Sequence, residues 1–323
     1  MKPHVYVACK IPDETESYLA KHVQYRKWEG PGAIPYEVLL EELAEADGLL
    51  TSGNKIGLEL LSRAPKLKAV STMSVGYNHF DLDAMKERGI IGTHTPNVLD
   101  DTVADLILAL MLAVCRRVPE LDTYVKQGQW KKGDNDVLFG LDMHHKKLGI
   151  IGMGRIGEAV AQRAHFGFGM DIVYHNRHRK PDAEHKFGAK YAEMNDLLHE
   201  ADFVVLMTPL TPQTRHLFGR NEFAQMKPTG IFINASRGPV VDEEALTEAL
   251  QQGQIFGAGL DVFEREPVQP DHTLLQLQNV VTLPHIGSAT AQTRNDMAML
   301  AAENLVSALL GADPQNVVPE LRK

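Results

Sequence analysis

Cysteine is nearly absent: Cys9 and Cys115 are the only two in 323 residues. Two thiols far apart cannot build a disulfide framework or a cysteine-rich zinc site, so a reducing compartment is expected. Long apolar runs are missing too. The longest, Leu106–Cys115, covers ten residues, too few to span a bilayer. The N-terminal MKPHVYVACK carries Pro3 and turns polar at Lys10, so no signal peptide is expected. Positive charge is in deficit, with 33 Lys plus Arg against 42 Asp plus Glu and a net charge of −9. With no large basic block, there is no electrostatic reason to bind nucleic acid or an anionic membrane. Repeats and low-complexity tracts are also lacking. What is present is ordinary globular composition, 44% hydrophobic and 23% charged. The length suits two domains at roughly 100–200 residues each. The expectation is a cytoplasmic two-domain protein with no metal site.

In the N-terminal third, short apolar runs alternate with helical patterns. Strands are expected at His4–Cys9, Val23–Trp28, Gly48–Thr51, Ala69–Thr72 and Ile90–Thr93. Helices fit Asp13–His22, Tyr36–Ala46, Gly57–Arg63 and Leu82–Arg88. That alternation implies a parallel sheet covered on both faces. A long helix from about Asp101 to Lys126 follows. Its middle, ADLILALMLAVCRR, is apolar nearly all round and should be buried. Residues 128–142 read as a loop. A second alternating unit starts at Lys147, with six strands at Leu148–Ile151, Asp171–His175, Phe203–Met207, Ile231–Asn234, Gly257–Asp261 and Val280–Leu283. The fold class is therefore α/β with doubly wound parallel sheets. The apolar face of Ala291–Leu310 needs a partner, which returning to the first domain would supply.

Lys147–Gly157 reads KLGIIGMGRIG, placing Gly152, Gly154 and Gly157 in G-x-G-x-x-G. The motif follows an apolar strand and opens a helix, the context it needs for dinucleotide binding. Gly152 permits the tight turn, Gly154 admits the pyrophosphate and Gly157 lets helix pack on strand. The free N–H groups of the helix start then face the phosphates.

The end of the second strand selects the cofactor. An NAD site places an acidic residue there for the ribose 2′-OH. Here Asn176 stands nineteen residues after Gly157, in YHNRHRK. Arg177, Arg179 and Lys180 cluster where a 2′-phosphate would lie, and guanidinium matches phosphate in shape and charge. This favours NADP(H) over NAD(H), the alternative being a solvated basic loop.

Arg237, Glu266 and His285 each follow a strand of the second unit. In an open α/β sheet, ligands bind outside the carboxyl ends of the strands, where such loops can converge. Histidine can give a proton to a carbonyl oxygen. A neighbouring carboxylate stabilises the imidazolium and fixes its tautomer. Arginine clamps a substrate carboxylate. Taken singly, His285 could fill a loop, Glu266 has Glu264 as a rival, and Arg237 could form a surface ion pair or bind cofactor phosphate.

Six segments together resemble the D-isomer-specific 2-hydroxyacid dehydrogenases, most closely their glyoxylate/hydroxypyruvate reductase branch. They are MSVGYNHFD (Met73–Asp81), HTPNVLDDTVAD (His94–Asp105), GIIGMGRIG, FINASRGPVVDEEAL (Phe232–Leu246), GLDVFEREP (Gly259–Pro267) and LPHIGSAT (Leu283–Thr290). The resemblance covers nearly the whole chain. It implies a flavodoxin-like substrate domain, 1–99 plus 290–323, and a Rossmann cofactor domain, 100–289, beginning with the bridging helix at about 101–126. It implies Arg237, Glu266 and His285 as the catalytic triad, with Asn54, Val75, Gly76 and Ser288 at the substrate. At the cofactor it implies Thr102, Arg155, Ile156, Thr208, Pro209, Ala235, Ser236 and Asp261. Bland alternatives are an Asx turn for Asn54, a first-turn helix position for Thr102, capping for Ser288, strand termination for Pro209 and backbone capping for Asp261.

The expected reaction is reduction of glyoxylate or hydroxypyruvate by NADPH, with His285 as proton donor, in a homodimer. One departure stands out. The animal-type reductases often carry a second aromatic after the position of Trp130, and here Lys131, Lys132 and Gly133 follow. Within the family the alternatives are a 2-ketogluconate reductase, a D-lactate dehydrogenase and, weakened by the lack of a regulatory extension, a phosphoglycerate dehydrogenase. Outside enzymes, the alternative is a dinucleotide-sensing binding protein.

Overall fold

Parallel strands need crossovers, and the chain supplies a helix for nearly every one. The computed structural model describes residues 2–322. The chain divides into two compact units: residues up to Leu99 with those from Ala289 onward, and Asp100–Ser288 between them. Ala289 thus falls one residue on the other side of the expected boundary.

In the first unit, β1 (His4–Val7), α1 (Asp13–His22), β2 (Gln24–Lys27), α2 (Tyr36–Leu43), β3 (Gly48–Thr51), α3 (Leu58–Arg63), β4 (Ala69–Thr72), α4 (Leu82–Glu87) and β5 (Ile91–Thr93) follow in turn. The five strands are parallel, in the order β2-β1-β3-β4-β5. Side-chain alternation sorts their residues between two cores. Tyr6, Leu49 and Val70 face α2 and α3, while Val5, Val7, Leu50 and Ala69 face the opposite layer, which includes Leu19 of α1. Helix α1 places Asp13, Glu14 and Glu16 in its first turn and Lys21 and His22 in its last, matching its dipole.

The second unit starts with α5 (Asp100–Cys115) and α6 (Val118–Lys126). The single expected helix over 101–126 is therefore two. Arg117 takes a left-handed φ of 54°. Pro119 has no N–H, and in a continuous helix its ring would strike the Cys115 carbonyl. That carbonyl instead accepts the Leu141 N–H at 2.7 Å. As expected, α5 is buried, through Val103, Ile107, Leu110, Met111 and Val114 among others.

Next come β6 (Lys147–Ile151), α7 (Arg155–Phe168), β7 (Asp171–His175), α8 (Pro181–Phe187), β8 (Lys190–Tyr191), α9 (Met194–Glu200), β9 (Phe203–Leu206), α10 (Arg220–Phe223), β10 (Ile231–Asn234), α11 (Glu243–Gln251), β11 (Gly257–Leu260) and β12 (Val280–Thr282). The sheet is parallel, in the order β12-β11-β10-β9-β6-β7-β8. It has seven strands rather than six, because the two-residue β8 carries no hydrophobic signature. The loop at 128–142 contains a single 3-10 turn, Asp136–Leu138. Helices α9, α10 and α11 share a core with one face of the sheet. Helices α5 and α7 pack together, and both reach the sheet's strands.

Helix α12 (Ala291–Leu309) then rejoins the first unit. Thr290 caps it, accepting the Thr293 N–H. Its Ala298, Ala301, Ala302, Leu305 and Val306 complete the core on the α1 side of the sheet. Among the described residues no helix is long and apolar enough to cross a membrane.

Candidate active site

The seven-stranded sheet reverses its winding between β6 and β9, and the glycine loop lies at that switch point. Gly152 has φ +103°, and a Cβ on it would sit 2.8 Å from the Met207 carbonyl carbon. A Cβ on Gly157 would sit 2.8 Å from the Gly152 oxygen, so α7 rests directly on the turn. Gly154 caps α7, and a Cβ there would meet nothing within 4 Å. Protein backbone thus requires glycine at 152 and 157. At Gly154 there is instead open space before the N–H groups of Arg155 and Ile156, which donate to nothing among the described residues, as a phosphate would require. Next to the turn, the Thr208 hydroxyl is buried with no hydrogen-bond partner among the described residues. An orphaned donor beside an open glycine cradle fits a bound dinucleotide. Pro209 follows, its carbonyl accepting from the Thr214 hydroxyl at 2.6 Å. Thr102 lies in the first turn of α5.

At the end of β7, the Asn176 side chain donates to the His178 carbonyl at 3.0 Å. Arg179 grips Glu184 of α8 through two nitrogens, at 3.0 and 2.8 Å. Tyr174 donates to the same Glu184 at 2.6 Å and accepts the Lys180 N–H at 2.7 Å. Arg179 is thus an anchor of the loop. Arg177 is exposed and makes no ion pair among the described residues. The local sequence around Asn176 did not reveal Glu184, which reaches this loop from the following helix.

Strands β10, β11 and β12 are neighbours and parallel, so their carboxyl ends lie along one edge. Arg237, Glu266 and His285 come from the three loops leaving that edge. Asn234 braces the first loop. Its side-chain oxygen accepts both the Ser236 N–H and hydroxyl, at 3.0 and 2.9 Å, and its amide donates to the Arg237 carbonyl at 3.2 Å. Ala235 lies within this brace. Arg237 is partly buried and donates to the Ser236 carbonyl at 2.7 Å. Burial pulls its guanidinium below the usual arginine range, and Glu266 opposes that fall. It remains a cation near neutral pH.

The carboxylate of Glu266 is held at both oxygens. One meets His285 Nδ1 at 2.7 Å, and the other accepts the Phe263 N–H at 3.0 Å. Burial pushes the Glu266 carboxyl up, but His285, the Phe263 N–H and Arg237 together hold it below its ordinary range. Glu264, the rival in the sequence, turns its carboxylate to His216 instead. His285 itself has φ +52°, a left-handed conformation uncommon for a side chain of this size. The backbone after it is held by Asp261, which is 1% exposed and accepts the Ile286 and Gly287 N–H groups at 2.7 and 2.8 Å. Of the two readings of Asp261, backbone capping is the arrangement seen. Burial raises its carboxyl, and the two N–H groups hold it back. Ser288 follows, half-buried.

The remaining substrate candidates belong to the first unit. Asn54, after β3, accepts the Thr51 hydroxyl at 2.6 Å through its side-chain oxygen. After β4, the Val75 carbonyl meets His94 Nδ1 at 2.8 Å and the Gly76 carbonyl accepts the Ser74 hydroxyl at 2.7 Å. With both carbonyls engaged, the N–H groups of Val75 and Gly76 donate to nothing among the described residues. Such a pair of free donors is suited to an anion.

Residues 108–287 match the family model described as the D-isomer specific 2-hydroxyacid dehydrogenase, NAD binding domain. The chain is 51% identical over 324 residues to glyoxylate/hydroxypyruvate reductase B of Escherichia fergusonii, covering 100% of both. It belongs to the D-isomer-specific 2-hydroxyacid dehydrogenase family. As a D-2-hydroxyacid dehydrogenase it is an oxidoreductase with a dinucleotide-binding domain. Among solved structures, a Thermus thermophilus protein superposes with a TM-score of 0.89 at 44% identity, covering 98% of this chain and 99% of that one. An NADPH-dependent glyoxylate/hydroxypyruvate reductase from Sinorhizobium meliloti, in complex with NADP and malonate, gives 0.87 at 32%, covering 100% and 99%. No group of three or more His, Cys, Asp or Glu side chains among the described residues could hold a metal ion.

Proposed function

We propose that this dehydrogenase reduces glyoxylate and hydroxypyruvate to the corresponding 2-hydroxy acids, using NADPH in preference to NADH. The observation that carries the reading is the Glu266–His285 contact of 2.7 Å, on loops from strands adjacent to the one that delivers Arg237. The glyoxylate/hydroxypyruvate reductase names of the relatives support the substrate class.

The cofactor would be held by the Gly152–Gly157 turn, the N–H groups of Arg155 and Ile156, and the Thr208 hydroxyl. When bound, it supplies hydride to the carbonyl carbon. Arg237 binds the substrate carboxylate. Glu266 accepts only, so a neutral His285 carries its proton on Nδ1. The second proton of the imidazolium sits on Nε2 and passes to the carbonyl oxygen as the alkoxide forms. Glu266 stabilises the imidazolium beforehand. NADPH preference is supported by the missing carboxylate at Asn176 and by Arg177, exposed and without an ion pair among the described residues.

We also propose a homodimer, supported by the exposed side chains of Val118, Val125, Trp130, Val137 and Phe139. The two free cysteines fit a cytoplasmic setting.

The deciding experiment compares initial rates for glyoxylate and hydroxypyruvate with NADPH and NADH. Turnover of either acid with a lower KM for NADPH is expected. Preference for NADH would overturn the cofactor assignment alone. Inactivity with both acids would overturn the substrate assignment and move the search to larger 2-oxo acids.

A further inference from the structure

The segment that carries Glu266 is held from outside by groups the proposed reaction does not use. Phe263 lies against Gly238, where a Cβ would fall 1.8 Å from the Phe263 carbonyl carbon. The Glu264 N–H donates to Glu243 Oε1 at 2.6 Å, and the Glu264 carboxylate pairs with His216 Nε2. His216 is itself tied down, its N–H donating to the Pro239 carbonyl at 2.9 Å. Every one of these contacts comes from residues 216–243, the stretch that also carries Arg237.

Glu243 is the deepest of the anchors, its side chain only 12% exposed at the first turn of α11. Its second oxygen lies 3.2 Å from His272 Nε2. His272 Nδ1 accepts the Leu274 N–H at 3.3 Å, so the ring's proton belongs on Nε2, where it can only be given to Glu243. The result is a relay of hydrogen bonds: Leu274 N–H to His272, His272 to Glu243, and Glu264 N–H to the same carboxylate. One residue, Arg265, then separates the anchored Glu264 from Glu266.

We propose that Glu243 is a positioning residue. By fixing the Glu264 N–H it sets where the Glu266 carboxylate meets His285, and His272 holds Glu243 in turn. The proposal rests on the catalytic roles given above to Glu266 and His285. It gives a function to a buried glutamate whose carboxyl is raised by burial and held back by the Glu264 N–H and His272. Such a group is costly to keep unless its hydrogen bonds are used.

The test reads the His285 ring directly. Its 15N shifts are recorded through the carbon-bound ring protons in the full-length protein, at a pH where the ring is neutral, and assigned against a His285→Asn spectrum. The wild type should show the Nδ1–H tautomer. Glu266→Ala removes the acceptor and should let the ring drift towards Nε2–H. Glu243→Ala should produce the same drift in smaller degree, although it touches neither group. Glu243→Gln keeps an acceptor for the Glu264 N–H but sets its NH2 against the His272 Nε2–H, so its drift should match that of His272→Ala and stay below that of Glu243→Ala. His272→Ala leaves Glu243 in place but unsupported, and should cause the smallest drift.

Kinetics supply the second readout. Glu243→Ala should lower kcat by about tenfold to a hundredfold, the scale of a misplaced catalytic group, with NADPH affinity unchanged. In a Glu266→Ala background the same change should cost less than about twofold, because the two act in series. A wild-type ring spectrum in Glu243→Ala and His272→Ala, or an equal loss of kcat in both backgrounds, would overturn the positioning role. If the wild type reduces no 2-oxo acid, the reductase reading falls, while the ring spectra still decide the positioning role.

Discussion

His285 meets Glu266 through Nδ1 and not through Nε2, at 2.7 Å. That choice of nitrogen gives the ring a direction. The face bonded to Glu266 is structural, and the proposed reaction uses the other nitrogen. A residue at φ +52° does not reach this position by local preference, so the surrounding loop must hold it there. Asp261 does so, through the two N–H groups that follow.

Removing the ring should therefore remove the proton and little else. His285→Asn is expected to lower kcat for 2-oxo acid reduction by about 10²–10⁴. Binding of NADPH, followed by its fluorescence, should be nearly unchanged. Turnover within a few-fold of wild type would contradict the proton-donor role.

The glycines of the cofactor turn should separate stability from binding. Gly154→Ala adds a methyl group into open space, so its Tm should match the wild type while NADPH affinity falls sharply. Gly152→Ala adds the same group at φ +103° and against the Met207 backbone, so the fold itself should lose stability. Thermal melts and NADPH titrations on both variants check the contrast. Full NADPH affinity in Gly154→Ala would argue against a phosphate at that place.

Cofactor choice should rest on Arg177 rather than Arg179. A charge-assisted hydrogen bond contributes about 1.5–3 kcal/mol, or roughly tenfold to a hundredfold in affinity. Arg177→Ala should weaken NADPH by that factor and leave NADH alone. Arg179→Ala should affect both cofactors through the loop that Glu184 anchors. The ratio of kcat/KM for the two cofactors is the measurement, and an unchanged ratio in Arg177→Ala would exclude this residue from selection.

Asp202 offers a test of pH-dependent stability. It accepts the Lys147 N–H at 2.9 Å and pairs with Lys227 at 2.7 Å. Burial pushes its carboxyl up, but these partners outweigh it and hold the group below its usual range. A carboxyl lowered on folding stabilises the native state above the unfolded value, near 3.9, and that contribution is lost as pH falls through the folded value. Asp202→Asn should cost about 1–3 kcal/mol in urea denaturation at pH 7. The difference from wild type should shrink steadily below about pH 4. A gap that stays constant to pH 2 would contradict the linkage.

Much of this was legible from residue order alone. Parallel strands buried on both faces leave continuous apolar runs, and most strands stood out that way; β2, polar and partly exposed, gave a weaker signal, and one of the twelve was missed. The exception, β8, pairs only two residues at a sheet edge. Arg237, Glu266 and His285 were visible because each stands in a loop that leaves the carboxyl end of a strand. Their supports were not. Glu184 lies on the helix after the Asn176 loop and Glu243 on the helix after the Arg237 loop, and nothing in local spacing says that either side chain turns back. Asn234 stood in plain view at the strand end, in Asn-Ala-Ser-Arg, a short polar residue where a loop needs bracing. The break at Arg117 was signalled by Pro119, but the apolar run before it read as one continuous helix.

The return of α12 also orders events during synthesis. Five of its buried side chains form one wall of a core whose other buried residues all precede residue 100. The N-terminal unit therefore emerges from the ribosome first and yet cannot close. The contiguous stretch Asp100–Ser288 has every residue of its own core as soon as it has been made. The part translated second is then the part able to finish first, and the α1 side of the first sheet stays uncovered in the meantime, with Val5, Val7, Leu50 and Ala69 exposed to whatever else the nascent chain encounters.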